Sequence, residues 1–378
     1  MNISKLRYLN FAIIILFSFY LIPIYAFADN KTCKESSEVC KWLKKVVAIK
    51  TPTMIASGIL ISDTLIVTNK HVIEDSKHVL VKLPNKEIKK GTPIANDHLA
   101  DIILISLEEN RPINYDRNFS KMIQFENNKT INYFMVAFDI GRNSVRVFPR
   151  SSVISFPEKN FLQARIHSNS RNQPGTSGGA LIDENGYLIG IIASGGGEYN
   201  EAVPAILLKE IIDKKSNDTE NFLLRGKSMR LCADSLEIAQ NIDKNPDKKL
   251  LRSLNTSCEK ANNKLLFDMV GQTFGRWGVF IDSEYFLNKS ITLDPKSPTS
   301  LHSLAVTLHL QRKYKEEIEI LKRLLTYTPD DPQALRLAIQ AAGFTKNKEF
   351  ADFAINLMEK HNPAAVPLAE SFLKSALN

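Results

Sequence analysis

Three side chains in this sequence have the types and settings for proton-relay hydrolysis. Ser177 lies in QPGTSGGALIDENG, residues 173–186, among Gly175, Gly178 and Gly179. A serine hydroxyl at its ordinary pKa is a weak nucleophile, so a base must take its proton and an acid must orient that base. His71 follows the apolar run in LIVTNKHVIE, and Asp101 opens the apolar run in HLADIILISLE. His78, His98 and His167 are rival bases and Asp97 is a rival acid. None stands in a segment of the right kind, and the histidines read as surface or hydrogen-bonded core groups.

Chain order separates two designs. GTSGG satisfies G-x-S-x-G, the nucleophile elbow of α/β-hydrolases, which needs a strand–turn–helix and an acid and a histidine after the serine. Here the serine precedes two apolar runs joined at Asn185-Gly186, a hairpin signature. The histidines downstream, His302, His309 and His361, fall in a helical-looking region. The order His71, Asp101, Ser177 instead fits the design built on antiparallel barrels.

The elements that must position these groups are short strands. KVVAI, SGILIS, TLIVTN, HVLVKL, DIILISL, YFMVAF and SVRVFP are rich in Val, Ile and Phe and are separated by polar or Gly/Pro breaks. No long amphipathic helix intervenes, which disfavours a parallel sheet. AILLKEIID reads as a helix closing the β region, KKSNDTEN (214–221) as a polar linker, and 222–262 as a helical hairpin. Prolines at 295, 329 and 363 then recur every 34 residues, with Pro298 and Pro332 echoing the interval. Helical spacing of Leu301, Leu304, Ala305 and Leu308, then Ile318, Leu321 and Leu324, accompanies that period. Residues 263–378 therefore resemble tetratricopeptide repeats.

The N-terminus carries an address. Lys5 and Arg7 precede an uncharged run from Tyr8 to Ala28 that Pro23 interrupts, and Ala26-Phe27-Ala28 offers small residues at both positions a signal peptidase needs. The expectation is a signal peptide over 1–28 and an exported protein, periplasmic or secreted, with no stable membrane insertion after cleavage. The run is also just long enough for an uncleaved anchor. Four cysteines suit an oxidising compartment: Cys33 with Cys40 and Cys232 with Cys258 could form two local disulfides, or all four could be buried thiols. None forms a CxxC, so no metal site is expected, and nothing calls for a cofactor. The net charge of +8 is spread in short clusters such as Lys89-Lys90 and Lys248-Lys249 without interleaved aromatics, which argues against nucleic acid as a partner.

VTNKHVIE, DIILISL and PGTSGGALIDENGYLIGI together resemble the His, Asp and Ser boxes of chymotrypsin-fold serine proteases. The likeness is to the HtrA-type branch, in which an asparagine also precedes the histidine. The resemblance covers about 45–210 and implies two six-stranded β-barrels with the site between them, in a bacterial protein. Carried over by position, Ser177 attacks the peptide carbonyl, His71 relays the proton, and Asp101 holds the imidazole. The N–H groups of Gly175 and Ser177 form the oxyanion hole. Ala193, Ser194 and Gly195 pair with an extended substrate through main-chain hydrogen bonds. Arg171 either helps form the floor of the specificity pocket or points to solvent.

The expected fold is thus multidomain: an all-β double barrel followed by an all-α helical repeat. The divisions are 1–28 signal peptide, 29–215 protease, 216–262 linker and helical hairpin, and 263–378 repeats. HtrA-type proteases carry PDZ domains after the protease, and nothing in this sequence reads as one. The expected activity is that of a serine endopeptidase acting on protein or peptide substrates, with the repeats recruiting a protein partner or substrate. The alternatives are a catalytically silent protease-fold scaffold and an exported chaperone acting through its repeats.

Overall fold

The computed structural model describes residues 33–108, 132–158, 160–195, 199–213, 219–243 and 246–377. The expected signal peptide, Gly196 and Gly197 lie outside them.

The apolar runs fold as β1 (Val46–Lys50), β2 (Ile55–Leu60), β3 (Leu65–Thr68), β4 (Val79–Lys82), β5 (Ile88–Ile94) and β6 (Ile103–Ser106). They close into a barrel in the order β1-β2-β3-β6-β5-β4. The runs of β1, β3 and β6 lack polar alternation because both of their faces are buried, whereas β4 alternates and β5 is buried only at Gly91. Val47, Ile49, Ile66, Val81, Ile103 and Ile105 fill one core. Val46, Ile59, Val67 and Leu104 pack outward into a second core shared with Val136, Ala180, Ile191 and Val203. Each such aliphatic side chain contributes about 1.5–3 kcal/mol on burial.

Those partners belong to a second sheet. It comprises β7 (Tyr133–Asp139), β8 (Ser144–Val147), β9 (Val153–Ser155), β10 (Ile166–Ser168), β11 (Ala180–Asp183), β12 (Leu188–Gly195) and β13 (Asn200–Pro204), in the order β8-β7-β11-β12-β13-β10-β9. Seven strands stand where the resemblance implied six. Pro149 explains the difference. Residues 144–148 pair with β7, a bridge joins Tyr133 to Ser151, and β9 then pairs with β10. One bent strand therefore runs along both edges of the sheet, and proline, with no N–H to donate, splits it in two.

A short helix carrying His71, α1 (Lys70–Ile73), and a helix closing the β region, α2 (Leu207–Asp213), complete this part of the chain as it bears on the site. The hairpin follows as α3 (Thr219–Gln240) and α4 (Lys248–Ala261). Residues 219–221, expected in a linker, already belong to α3, and 214–218 lie outside the described residues. Cys232 and Cys258, both fully buried, join α3 to α4 through a disulfide, and no cysteine is free. Closing a loop of 26 residues restricts the unfolded chain by about 3 kcal/mol. Replacing both cysteines by alanine should therefore lower the unfolding free energy of the oxidised protein by about 2–4 kcal/mol in a denaturant titration.

Paired helices continue as α5 (Lys264–Arg276), α6 (Phe280–Leu293), α7 (Pro298–Leu310), α8 (Tyr314–Tyr327), α9 (Pro332–Thr345), α10 (Lys348–His361) and α11 (Val366–Leu377). Pro298 and Pro332 open α7 and α9, where the missing N–H costs no helical bond. Ser297 and Asp331 cap the same two helices by accepting from Ser300 N and from Gln333 N and Ala334 N. The helices rest on the second sheet. Gln163 accepts from Lys264 N (3.0 Å) and donates to Asn262 O (3.1 Å), and Tyr199 donates to Asp331 (2.9 Å).

Candidate active site

The three predicted side chains stand where the barrel meets the second sheet. β3 ends at Thr68 and the chain turns into α1, placing His71 beside Asp101, two residues before β6. His71 Nδ1 lies 2.7 Å from Asp101 Oδ2, and His71 N donates to Asp101 Oδ1 at 3.0 Å. Asn69 Nδ2 donates to Asp101 O (3.0 Å), fixing the aspartate's backbone as well. The Asp101 side chain is fully buried. Burial alone would push its carboxyl up. The pull of His71, and after it Arg165, outweighs that and holds the group well below the usual carboxylate range. A permanently ionised acceptor on Nδ1 keeps the proton there and leaves Nε2 as the basic nitrogen.

Ser177 precedes β11 and is half-buried. Its Oγ donates to Ala193 O at 2.9 Å, so its proton is not directed at His71 in this structure. Gly178 makes a close approach to the barrel possible. Its φ is +85°, and a Cβ there would sit 2.0 Å from Ser57 O and 2.3 Å from Thr68 Oγ1. The serine loop thus lies against the barrel at the strand that leads to His71.

Gly175 has φ +97°. Among the described residues, neither Gly175 N–H nor Ser177 N–H donates to a protein acceptor. Two free N–H groups beside a serine hydroxyl are what a developing oxyanion needs. The conformation is held by a residue the sequence does not announce. Ser57 Oγ donates to Gly175 O (2.7 Å) and accepts from Phe138 N (2.8 Å), and Ser57 N donates to Ser177 O (2.7 Å). A lone serine in an apolar strand gives no signal of that role.

Lys70, next to His71, is also unannounced. It is buried and its ammonium donates to the carbonyls of His98 and Asn96. Burial, and after it Arg225, lowers its pKa to about 7. Glu74, just after α1, is pushed up to about 7 by burial. From the other side α3 braces this turn. Arg230 makes two bonds to Asp75 (2.9 and 3.1 Å), and Gly226 lets α3 approach so closely that a Cβ would lie 2.2 Å from Glu74 O.

The remaining candidates fall as follows. Ala193 forms a bulge in β12, between Ile192 paired to Ala202 and Ser194 paired to Glu201. β11 ends its pairing at Ile191, so the opposite edge at Ala193, Ser194 and Gly195 has no strand partner among the described residues. Arg171 is exposed. His78 and Asp97 are exposed. His98 accepts from Ala100 N, and His167 is a buried partner of Asp294 at 2.9 Å. None of these four is bonded to Ser177.

Residues 56–191 match the family model of the trypsin-like peptidase domain. Over 184 residues the chain is 30% identical to a probable periplasmic serine endoprotease DegP-like of Chlamydia pneumoniae, covering 44% of this chain and 36% of that protein. It is 25% identical over 179 residues to the serine endoprotease DegS of Haemophilus influenzae, covering 43% and 51%. The chain therefore spans only about a third to a half of the length of these relatives. A solved serine endoprotease from Yersinia pestis aligns with 21% identity and a TM-score of 0.38, over 47% of this chain and 64% of that one. The matched segment contains His71, Asp101, Ser177, Gly175 and Ser57. The family-model match ends before α2.

Proposed function

We propose that the chain is an exported serine endopeptidase that cleaves peptide bonds in extended protein segments. The observation that carries this reading is the buried, ionised Asp101 bound to both His71 N and His71 Nδ1. A histidine so held can take a proton from a neighbouring hydroxyl at Nε2.

In the proposed reaction the Ser177 hydroxyl turns from Ala193 O toward His71. His71 Nε2 accepts the proton as Oγ bonds to the substrate carbonyl carbon, and the carbonyl oxygen gathers negative charge between the N–H groups of Gly175 and Ser177. Collapse breaks the C–N bond while His71 returns the proton to the departing amine. Water repeats the steps on the acyl-enzyme and frees Ser177. The open β12 edge at Ala193, Ser194 and Gly195 would receive the substrate as an added strand. Export, and a periplasmic or secreted address, is supported by the leader-like N-terminus, by the disulfides, and by the name of the Chlamydia relative. Among the described residues no helix is long and apolar enough to cross a membrane. In this reading residues 29–215 form the protease and 263–378 a tetratricopeptide-like array that recruits a substrate or partner.

The hydrogen bond from Ser177 to Ala193 O favours one second reading, a silent protease-fold scaffold in which the hydroxyl never reaches the base. A fluorescent fluorophosphonate decides between them. Covalent labelling, located on the peptide bearing Ser177 and present with or without added unfolded protein, is the expected result. A folded protein left unlabelled under both conditions would move the assignment to the scaffold.

A further inference from the structure

Beyond the catalytic trio, the largest concentration of buried charge in the described residues joins the helices to the site. It begins at Lys264, the first residue of α5, whose ammonium contacts Glu201 of β13 and lies 3.8 Å from Asp294. Asp294, the residue that caps α6, accepts from His167 Nε2 of β10 (2.9 Å) and from the backbone N–H of Arg165 (3.2 Å). Arg165 Nη2 then reaches Asp101 Oδ2 at 3.3 Å, the oxygen that also faces His71. The side chains of Arg165, His167, Lys264 and Asp294 are wholly buried.

His167, Glu201 and Asp294 place ligand atoms within 4.8 Å of one another, as a metal site would. Lys264 argues otherwise, because its ammonium already supplies the positive charge those carboxylates need. The cluster is an internal ion network, and it has an end on each side of the boundary between sheet and helices. A lone buried arginine beside a buried aspartate would be costly. Here Arg165 is fixed at its backbone by Asp294, so the aim of its guanidinium depends on where α6 ends.

We propose that Arg165 is a positioning residue for the Asp101–His71 pair, and that the helical region, acting through Asp294, is a required part of the proteolytic centre. This rests on the protease reading above. Arg165 offers Asp101 a second cation, which sets the carboxylate's rotamer and limits how strongly it holds the imidazolium. The other charged groups around the pair are Lys70 and Arg225, which face Asp101, and Glu74, which faces His71.

The test uses the full chain and follows fluorophosphonate labelling rate against pH. Arg165→Met should slow labelling about 100-fold, the scale of a misplacement of roughly 1 Å. It should also move the acid limb to higher pH, because His71 keeps its proton longer once the competing cation is gone. Arg165→Lys should restore the limb. Asp294→Ala should slow labelling too, although Asp294 touches neither His71 nor Asp101. A folded Arg165→Met protein with the wild-type rate and limb overturns the proposal. If that variant does not fold, a wild-type rate in folded Asp294→Ala overturns it. If wild-type protein never labels, the protease reading is what has failed. The low-field NMR resonance of the His71 Nδ1 proton then decides: a shift in Arg165→Met or Asp294→Ala supports the positioning role, and an unmoved resonance in both rejects it.

Discussion

Ser177→Ala should lower turnover of an unfolded protein substrate by about 10⁶-fold while leaving substrate affinity nearly intact. The side chain's recorded hydrogen bond is the one to Ala193 O, so truncation removes a single interaction worth about 1 kcal/mol and creates almost no cavity. Melting temperature and circular dichroism should therefore match wild type, and lost turnover cannot be charged to unfolding. The N–H groups of Gly175 and Ser177 remain, as does the open edge of β12. Binding of a non-cleaved peptide should accordingly persist. Hydrolysis that survived in purified Ser177→Ala protein would place the activity elsewhere.

Asp101→Asn should lower turnover by about 10⁴-fold. The carboxylate accepts from His71 N through one oxygen and from His71 Nδ1 through the other, and Arg165 approaches the second. An asparagine must turn its NH2 toward one of these partners. With Oδ1 kept on the backbone N–H, the amide donates to Nδ1. That drives the imidazole proton to Nε2, and the ring can no longer accept from serine. The same change leaves buried Arg165 without its anion, so a lower melting temperature should accompany the loss. This differs from Ser177→Ala, where the two readouts separate. A folded Asp101→Asn protein with unimpaired turnover would contradict the assigned role.

The candidate site was legible as a proposal because its residues stand beside apolar runs, His71 just after one, Asp101 just before one and Ser177 shortly before another. What escaped was hidden for identifiable reasons. β5 contains Lys89, Lys90, Gly91 and Pro93, residues that punctuate a strand pattern, yet it closes the barrel between β4 and β6. β9 and β10 have three residues each, too few for a period to register. Arg165, Glu201, Lys264 and Asp294 carry charge, and charge in a sequence reads as surface. Their partners lie 30 to 129 residues away, so only the fold reveals the compensation. Ser57 is invisible for the same reason, since its role depends on Gly175 and Phe138 coming to it. The sequence placed His167 among surface or hydrogen-bonded core groups, and it is the latter.

The helical region grips both halves of the β structure. α3 holds the barrel at Asp75 and Glu74, while α5 and α6 hold the second sheet at Glu201 and Arg165. The helices act as a splint across a joint. A barrel and a sheet that meet along one apolar seam can rock against each other, but here rocking would have to tear a bidentate ion pair or a buried one. The seam between the halves is thereby stiffened by Arg230, Asp75, Lys264 and Glu201, residues that bond to neither His71 nor Ser177.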